Sequence, residues 1–177
     1  FMRNISILLA IMTLILFMEG CAITHKFGPF YGKVVDAEKE EPIEGAVVAV
    51  WFHTESTTLG GRVWQVADAV ETVTNANGEF IIPPHRINLF RIMAWWDDEC
   101  HVSVFKPGYG AYPGSLKAYS SWRDKGSPYI PEEEYITYYL PKLLTYDQRR
   151  KNYVWTPGGK ADDKLPMLRK LMDEWAR

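Results

Sequence analysis

The chain has 177 residues, 47% of them hydrophobic, and a formal net charge of −2 at pH 7. A balance this close to neutral lacks the basic excess that nucleic acids and anionic surfaces attract, so we expect no nucleic-acid partner. The length is sufficient for one domain with a hydrophobic core. Composition therefore points to a folded domain and excludes a charge-driven binder.

The first twenty residues resemble an export signal. Residues 5–18 form an almost unbroken apolar run, which has the length of a signal peptide and is short for a membrane span. Met18-Glu-Gly-Cys21 resembles a bacterial lipobox, in which the cysteine becomes the acylated first residue. We predict a lipoprotein signal peptide over residues 1–20 and a membrane anchor through lipid at Cys21. An uncleaved membrane anchor is the alternative.

The lipobox also sets expectations for compartment and thiol chemistry. It implies a bacterial cell-envelope location, and Ala22 after the cysteine favours the outer membrane, facing the periplasm. With Cys21 acylated, Cys100 has no disulfide partner in the chain. We expect Cys100 to behave as a small buried hydrophobe.

Apolar periodicity after residue 29 predicts strands. Asn75-Ala-Asn-Gly78 tolerates positive φ between two β-rich runs and predicts a tight hairpin. Residues 55–61 are predicted to be a flexible polar loop, and residues 21–29 a short tether. The predicted strands are residues 30–36, 45–54, 62–74, 79–83, 89–96, 101–106 and 135–140.

Four short motifs carry a family resemblance. They are Gly32-Lys-Val-Val-Asp36, Pro42-Ile-Glu-Gly45, the T-x-x-x-G-x-F-x-I pattern from Thr74, and Phe105-Lys-Pro-Gly-Tyr109. Their order resembles the carboxypeptidase regulatory-like domain, over roughly residues 30–109. The resemblance implies a mainly β fold, a transthyretin-like seven-strand Greek-key β-sandwich, over residues 30–113. It also implies a non-catalytic accessory module, and no catalytic residue carries over.

The remainder divides into an aromatic loop with the last strand, residues 114–144, and a helical tail, residues 145–177. Thr145 and Gln148 have capping-box spacing for a short helix. Asp163 is predicted to cap a final helix, which we expect to dock on the sandwich through one apolar stripe. The stripe is Leu165, Leu168, Leu171, Met172 and Trp175.

Residue types that commonly bind metal ions are concentrated in the segment Asp97-Asp-Glu-Cys-His101. Carboxylates, a thiol and an imidazole suit a metal ion, but alternate residues of a strand face opposite ways and do not converge. His25, His53 and His85 could join only through tertiary folding. We favour an acidic turn and assign no metal, cofactor or catalytic residue.

Enzyme signatures are missing from the sequence. It has no H-E-x-x-H zinc motif and no G-x-S-x-G elbow. The C-terminal Tyr-Arg-Gly-Ser of the transthyretin-like hydroxyisourate hydrolases is also absent. We therefore expect no enzymatic activity.

Aromatic side chains are the better candidates for contact with a ligand. Flat amphipathic rings stack on sugars or anchor protein partners at low entropy cost, although packing at the sandwich edge is the alternative. The candidate contacts are Tyr109, Tyr112, Tyr119, Trp122 and Tyr129.

Three functions are compatible with this sequence. The first is a non-enzymatic envelope lipoprotein whose sandwich binds a glycan or protein. The second is a structural or assembly spacer that interacts through the C-terminal helix. The third is a metal-dependent or hydrolytic enzyme built around His101 and Asp97.

Overall fold

The computed structural model describes residues 21–122 and 126–176, so the predicted signal segment, residues 1–20, lies outside the described residues. Within these ranges the chain is mainly β, as predicted. The strands are β1 (Cys21–Phe27), β2 (Phe30–Asp36), β3 (Val47–Thr58), β4 (Gly61–Val73), β5 (Glu79–Ile82), β6 (His85–Ile92), β7 (Ala94–Trp96), β8 (Cys100–Phe105), β9 (Tyr119–Ser120), β10 (Tyr129–Ile130) and β11 (Tyr135–Leu140). The helical segments are α1 (Tyr146–Arg150), a 3₁₀ helix (Gly159–Lys164) and α2 (Pro166–Trp175).

The two larger sheets supply most of the main core, and Phe27 of β1 and Ile87 of β6 add to it. The β3 sheet has the order β10–β8–β3–β4, with β7 pairing to β3, and the β2 sheet has the order β5–β2–β11–β9. Alternate residues of β3, namely Val48, Val50 and Phe52, are buried together with Phe30 and Val34 of β2. Period-two alternation on both strands supplies these apolar faces. The arrangement is consistent with a β-sandwich.

The predicted tether, residues 21–29, is instead mostly strand. β1 pairs antiparallel with β6, and Cys21 lies opposite Ile92. Phe27 is fully buried and its ring stacks on Phe52 at a centroid distance of 4.5 Å. The prediction is wrong because the segment is short and its pairing partner lies far along the chain, so the local sequence does not reveal the strand. The proposed lipid site therefore begins the folded domain directly.

The structure exchanges the predictions for the two connections that flank β4: the predicted hairpin is not a hairpin, and the predicted loop belongs to one. Asn75 closes a turn by accepting hydrogen bonds from the N–H groups of Asn77 and Glu79, each at 2.9 Å. However, β4 pairs with β3 and β5 pairs with β2, so this turn crosses between sheets and is not a hairpin. The predicted loop, residues 55–61, is instead the tip of a long β3–β4 hairpin. Its threonines suit strands, which explains the error.

The C-terminal helix docks on the sandwich, as predicted. Leu165 and Leu168 are buried against Val47, Ala49 and Trp51, which lie on the side of the β3 sheet away from the main core. A second, smaller core therefore fastens the tail to the sheet.

A strand residue caps this helix, and the predicted cap is wrong. Glu71 of β4 accepts hydrogen bonds from the N–H groups of Met167, at 2.6 Å, and Leu168, at 2.9 Å. A carboxylate there satisfies free N–H groups and complements the helix dipole. The predicted cap Asp163 pairs with Arg169 at 2.8 Å. The tail is thus oriented by tertiary contact.

Candidate functional site

The outer face of the β3 sheet carries the candidate site. Because strand side chains alternate between faces, His53 and Glu55 continue the outward row that begins with Val47, Ala49 and Trp51. The C-terminal tail packs on the first three of these residues. Beyond the tail, the same face opens into a cleft.

The cleft has a volume of about 550 Å³, within the range of roughly 300–1,000 Å³ that is common for small-ligand sites. Neighbouring strands deliver its side chains in register: Trp64 of β4 lies opposite Glu55, and Tyr129 of β10 lies opposite His101 of β8. We call it the His53–His101 cleft. Its lining residues are His53, Glu55, Arg62, Trp64, Asp97, Glu99, His101 and Tyr129.

Two histidines meet edge to face in this cleft. The ring centroids of His53 and His101 are 4.6 Å apart, and the ring of Tyr129 lies 4.7 Å from that of His101. Trp51 stacks on His101 at 5.7 Å. The Nδ1 atoms of both histidines are buried without a hydrogen-bond partner. Buried polar atoms of this kind are costly to leave unpaired, which is unusual in a folded domain.

Burial keeps both histidines neutral near pH 7. Burial and the neighbouring His53 lower the pKa of His101 to about 4, while Asp97 opposes them. Burial also lowers the pKa of His53; Asp97 opposes this shift, and Arg91 adds to it. Neutral rings offer one donor and one acceptor nitrogen each, which suits hydroxyl groups of a ligand.

We predict that NMR titration will place the pKa of His101 well below 6.5, towards about 4. Because the folded-state pKa is depressed, the stability contributed by the neutral ring is fully present above pH 6.5 and is lost as the pH falls towards 4. Asp97→Asn should lower the pKa of both His53 and His101 further. A His101 pKa at or above 6.5 would contradict the described burial.

Carboxylates dominate the charge of the cleft. Arg62 Nε lies 3.1 Å from the buried Oε1 atom of Glu55, in an ion pair without hydrogen-bond geometry whose arginine is largely exposed. Asp97 Oδ1 accepts from the N–H of Glu99 at 3.1 Å, and the N–H of Asp97 donates to the carbonyl of His53 at 3.1 Å. These bonds tie the acidic turn to β3 and fix its carboxylates beside the histidines.

The predicted metal-ligand types do not assemble into a metal site. Cys100 is buried in the main core, where burial raises its pKa, and it lies on the face opposite His101. His85 contacts Asp68 at 3.0 Å, and His25 belongs to β1. Among residues 21–122 and 126–176, no group of three or more His, Cys, Asp or Glu side chains is placed to hold a metal ion.

The five aromatic residues predicted as contacts do not form one surface. Tyr112 is fully buried in the main core, where its hydroxyl donates to the carbonyl of Ser127. It cannot contact a ligand in this fold, and that prediction is corrected. Tyr109 and Trp122 are half-buried against the same core.

The other two aromatic candidates lie on different sheets. Tyr119 stacks on Tyr139 of the β2 sheet, with centroids 4.5 Å apart and planes 9° from parallel. Tyr129 lines the His53–His101 cleft. Of the five predicted contact residues, Tyr129 is therefore the one that the structure brings to the candidate site.

Sequence reasoning missed Trp64, Glu55 and Arg62. Treating residues 55–61 as a loop removed the register that pairs Glu55 with Trp64. A signal was present, because β-branched and aromatic residues flank Gly60-Gly61 on both sides. Two such runs around a Gly pair are typical of a hairpin.

Within the part of the chain that the structure describes, none of the helices is long and apolar enough to cross a membrane. Comparison with known proteins found no matching family model, no matching curated protein and no matching solved structure. The family resemblance and the lipid anchor therefore stay predictions, and function must be argued from the site.

Proposed function

We propose that this protein is a non-enzymatic lipoprotein of the bacterial cell envelope whose sandwich binds a glycan in the His53–His101 cleft. The observation that supports this most is the pairing of exposed aromatic faces with carboxylates on one sheet face. Trp64 is 55% exposed and lies opposite Glu55. Sugar rings present apolar C–H faces and hydroxyl edges, so they need both kinds of group together.

The register of the strands places this aromatic surface beside the polar groups of the cleft. Glu55 of β3 and Trp64 of β4 are paired, and paired residues share a face. A sugar ring held over Glu55 would lie against the indole of Trp64, and its hydroxyls could reach the carboxylates of Asp97 and Glu99, which line the same cleft.

The proposed fold is the transthyretin-like sandwich of the carboxypeptidase regulatory-like domain. Motif residues have structural roles that support it. Gly45 has a φ of +69°, and the Asp36 carboxylate accepts from the N–H groups of Glu38 and Lys39, at 2.8 and 3.1 Å. These are turn and strand-end functions, as expected of an accessory module with no catalytic residues.

The proposed anchor is lipid on Cys21, in the outer membrane and facing the periplasm. Strand β1 starts at Cys21 and pairs with β6, so the anchor would hold the sandwich close to the bilayer. This placement gives the cleft access to envelope glycans.

A metal-dependent or hydrolytic enzyme is the second candidate. The edge-to-face pair of His53 and His101, with Asp97 beside it, supports this alternative. A structural spacer has less support, because Leu165 and Leu168 of the tail are already buried on the sandwich.

Binding of purified peptidoglycan fragments and outer-membrane oligosaccharides tests the proposal, with calorimetry on the full chain. We predict that Trp64→Ala weakens binding of the responsive saccharide about tenfold or more, because a central aromatic anchor is lost. Tyr119→Ala, on the other sheet, is the matched control and should bind normally. Saccharide binding that is absent, or unchanged in Trp64→Ala, refutes the proposal; zinc binding that is lost in His101→Ala would favour the enzyme.

A further inference from the structure

Large apolar side chains are exposed around the tip of the β3–β4 hairpin and the β6–β7 corner. Leu59 is 112% exposed, Phe90 66%, Met93 63% and Trp95 45%. Single exposed apolar residues are ordinary, but a group of four at one end indicates a contact surface. We call these four residues the apolar rim.

Strand register places Leu59 and Met93 of the apolar rim at the same end of the domain. Ser56 of β3 lies opposite Ala94 of β7, and Leu59 follows Ser56 by three residues, about 10 Å at the rise of a strand. Met93 immediately precedes Ala94. The β3–β4 tip and the β6–β7 corner are therefore neighbours.

Residue 21 lies at the same end of the domain as the apolar rim. The backbone of Cys21 pairs with that of Ile92, the residue before Met93. Phe90 lies two residues earlier on the same strand. The attachment point of the N-terminal segment thus lies beside the rim.

The backbone conformation at Met93 explains why its side chain projects from the corner between β6 and β7. Its φ is +56°, a left-handed conformation that residues other than glycine rarely adopt. Here it turns β6 into β7 and leaves a large apolar side chain in solvent.

Both interpretations of the N-terminus bring a bilayer to this point. An acylated Cys21 carries its lipid at residue 21, and an uncleaved anchor ends its apolar run at Met18, three residues earlier. We propose that the apolar rim inserts into the interfacial layer of the membrane and fixes the orientation of the sandwich. This inference rests on the proposed membrane attachment at residue 21.

The chemistry of the rim suits that partner. Tryptophan is favoured at the membrane–water interface because its ring is apolar and its N–H polar, and Leu, Phe and Met supply buried apolar area. Leu59 precedes Arg62 and Trp64 of the His53–His101 cleft by three and five residues. The cleft would then be presented close to the lipid head groups.

The test uses the full chain in proteoliposomes, with an environment-sensitive fluorophore on Leu59→Cys or Met93→Cys. The matched control is Leu116→Cys, since Leu116 is 106% exposed and follows Tyr112, which bridges to Val104 near the opposite end of β3. Unsubstituted protein sets the labelling background from Cys21 and from the buried Cys100. We expect a blue shift and loss of emission with nitroxide-bearing lipids at positions 59 and 93, and neither at 116.

The outcomes separate this inference from the proposed function. Water-like emission at positions 59 and 93, in protein that remains with the vesicles, refutes insertion of the apolar rim but is compatible with the lipid anchor. A blue shift without lipid quenching means that a second copy of the chain covers the rim, which also overturns the inference. If the protein does not remain with the vesicles, both the membrane anchor and the insertion of the apolar rim are refuted. Glycan binding is measured in a separate experiment and is not affected by that result.

Discussion

Replacing Gly32 by alanine is expected to lower the free energy of unfolding by more than about 3 kcal/mol, the upper end of ordinary overpacking costs. Gly32 of β2 pairs with Ile136 of the parallel strand β11. A Cβ on Gly32 would lie 1.9 Å from the carbonyl oxygen of Ile136. That oxygen belongs to the backbone of a paired strand and cannot rotate away, so the two strands must separate.

Chemical denaturation of the two proteins measures this effect, and Gly60→Ala is the control. A Cβ on Gly60 would meet Thr58 Oγ1 at 3.7 Å, an ordinary contact. We expect that variant to remain within about 0.5 kcal/mol of the parent, as for most surface changes. Equal unfolding midpoints for Gly32→Ala and Gly60→Ala would show that β2 and β11 do not approach as described.

Local patterns predicted the elements whose signals are local. Strand β2 coincides with the predicted residues 30–36 and β11 with 135–140, since alternation of buried and less buried residues, complete in β11 and partial in β2, marks a strand with one buried face. The capping box at Thr145 and Gln148 is also confirmed, since it needs residues only three positions apart. Such local signals can be recognised in the sequence without knowledge of the tertiary structure.

Pairings over long sequence separations could not be predicted. No local feature near Cys21 indicates that its strand pairs with Ile92. The cap that Glu71 provides for the helix starting at Pro166 spans an even longer sequence separation. The His53–His101 cleft has the same origin. Its two histidines meet because β3 and β8 pair, and no motif in either strand encodes that register.

Residue type also failed to distinguish contact from packing among the aromatic candidates. Tyr112 and Tyr129 lie in similar Pro- and Gly-rich sequence, yet one is fully buried and the other lines the cleft. Tyrosine suits both settings, because its ring is apolar and its hydroxyl is polar. Burial therefore depends on which strand the loop crosses.

Tyr112→Ala is expected to lower the free energy of unfolding by about 3–5 kcal/mol, the usual cost of truncating a buried aromatic residue. The ring is fully buried and lies 4.9 Å from that of Tyr138. Its hydroxyl donates to the carbonyl of Ser127. Tyr112→Phe keeps the ring and removes that donor, so it should cost less, about 1–3 kcal/mol.

Tyr119→Ala separates packing at position 112 from a general sensitivity of the aromatic loop. Tyr119 stacks on Tyr139 but is only half-buried, so its removal should cost at most about 1.5 kcal/mol, the value of an aromatic pair. Urea denaturation should show Tyr112→Ala as the least stable of the three variants, below both Tyr112→Phe and Tyr119→Ala. If Tyr112→Ala is instead as stable as Tyr119→Ala, the ring is not part of the core. Position 112 would then return to the set of candidate ligand contacts, because an aromatic side chain that does not stabilise the fold is free to serve binding.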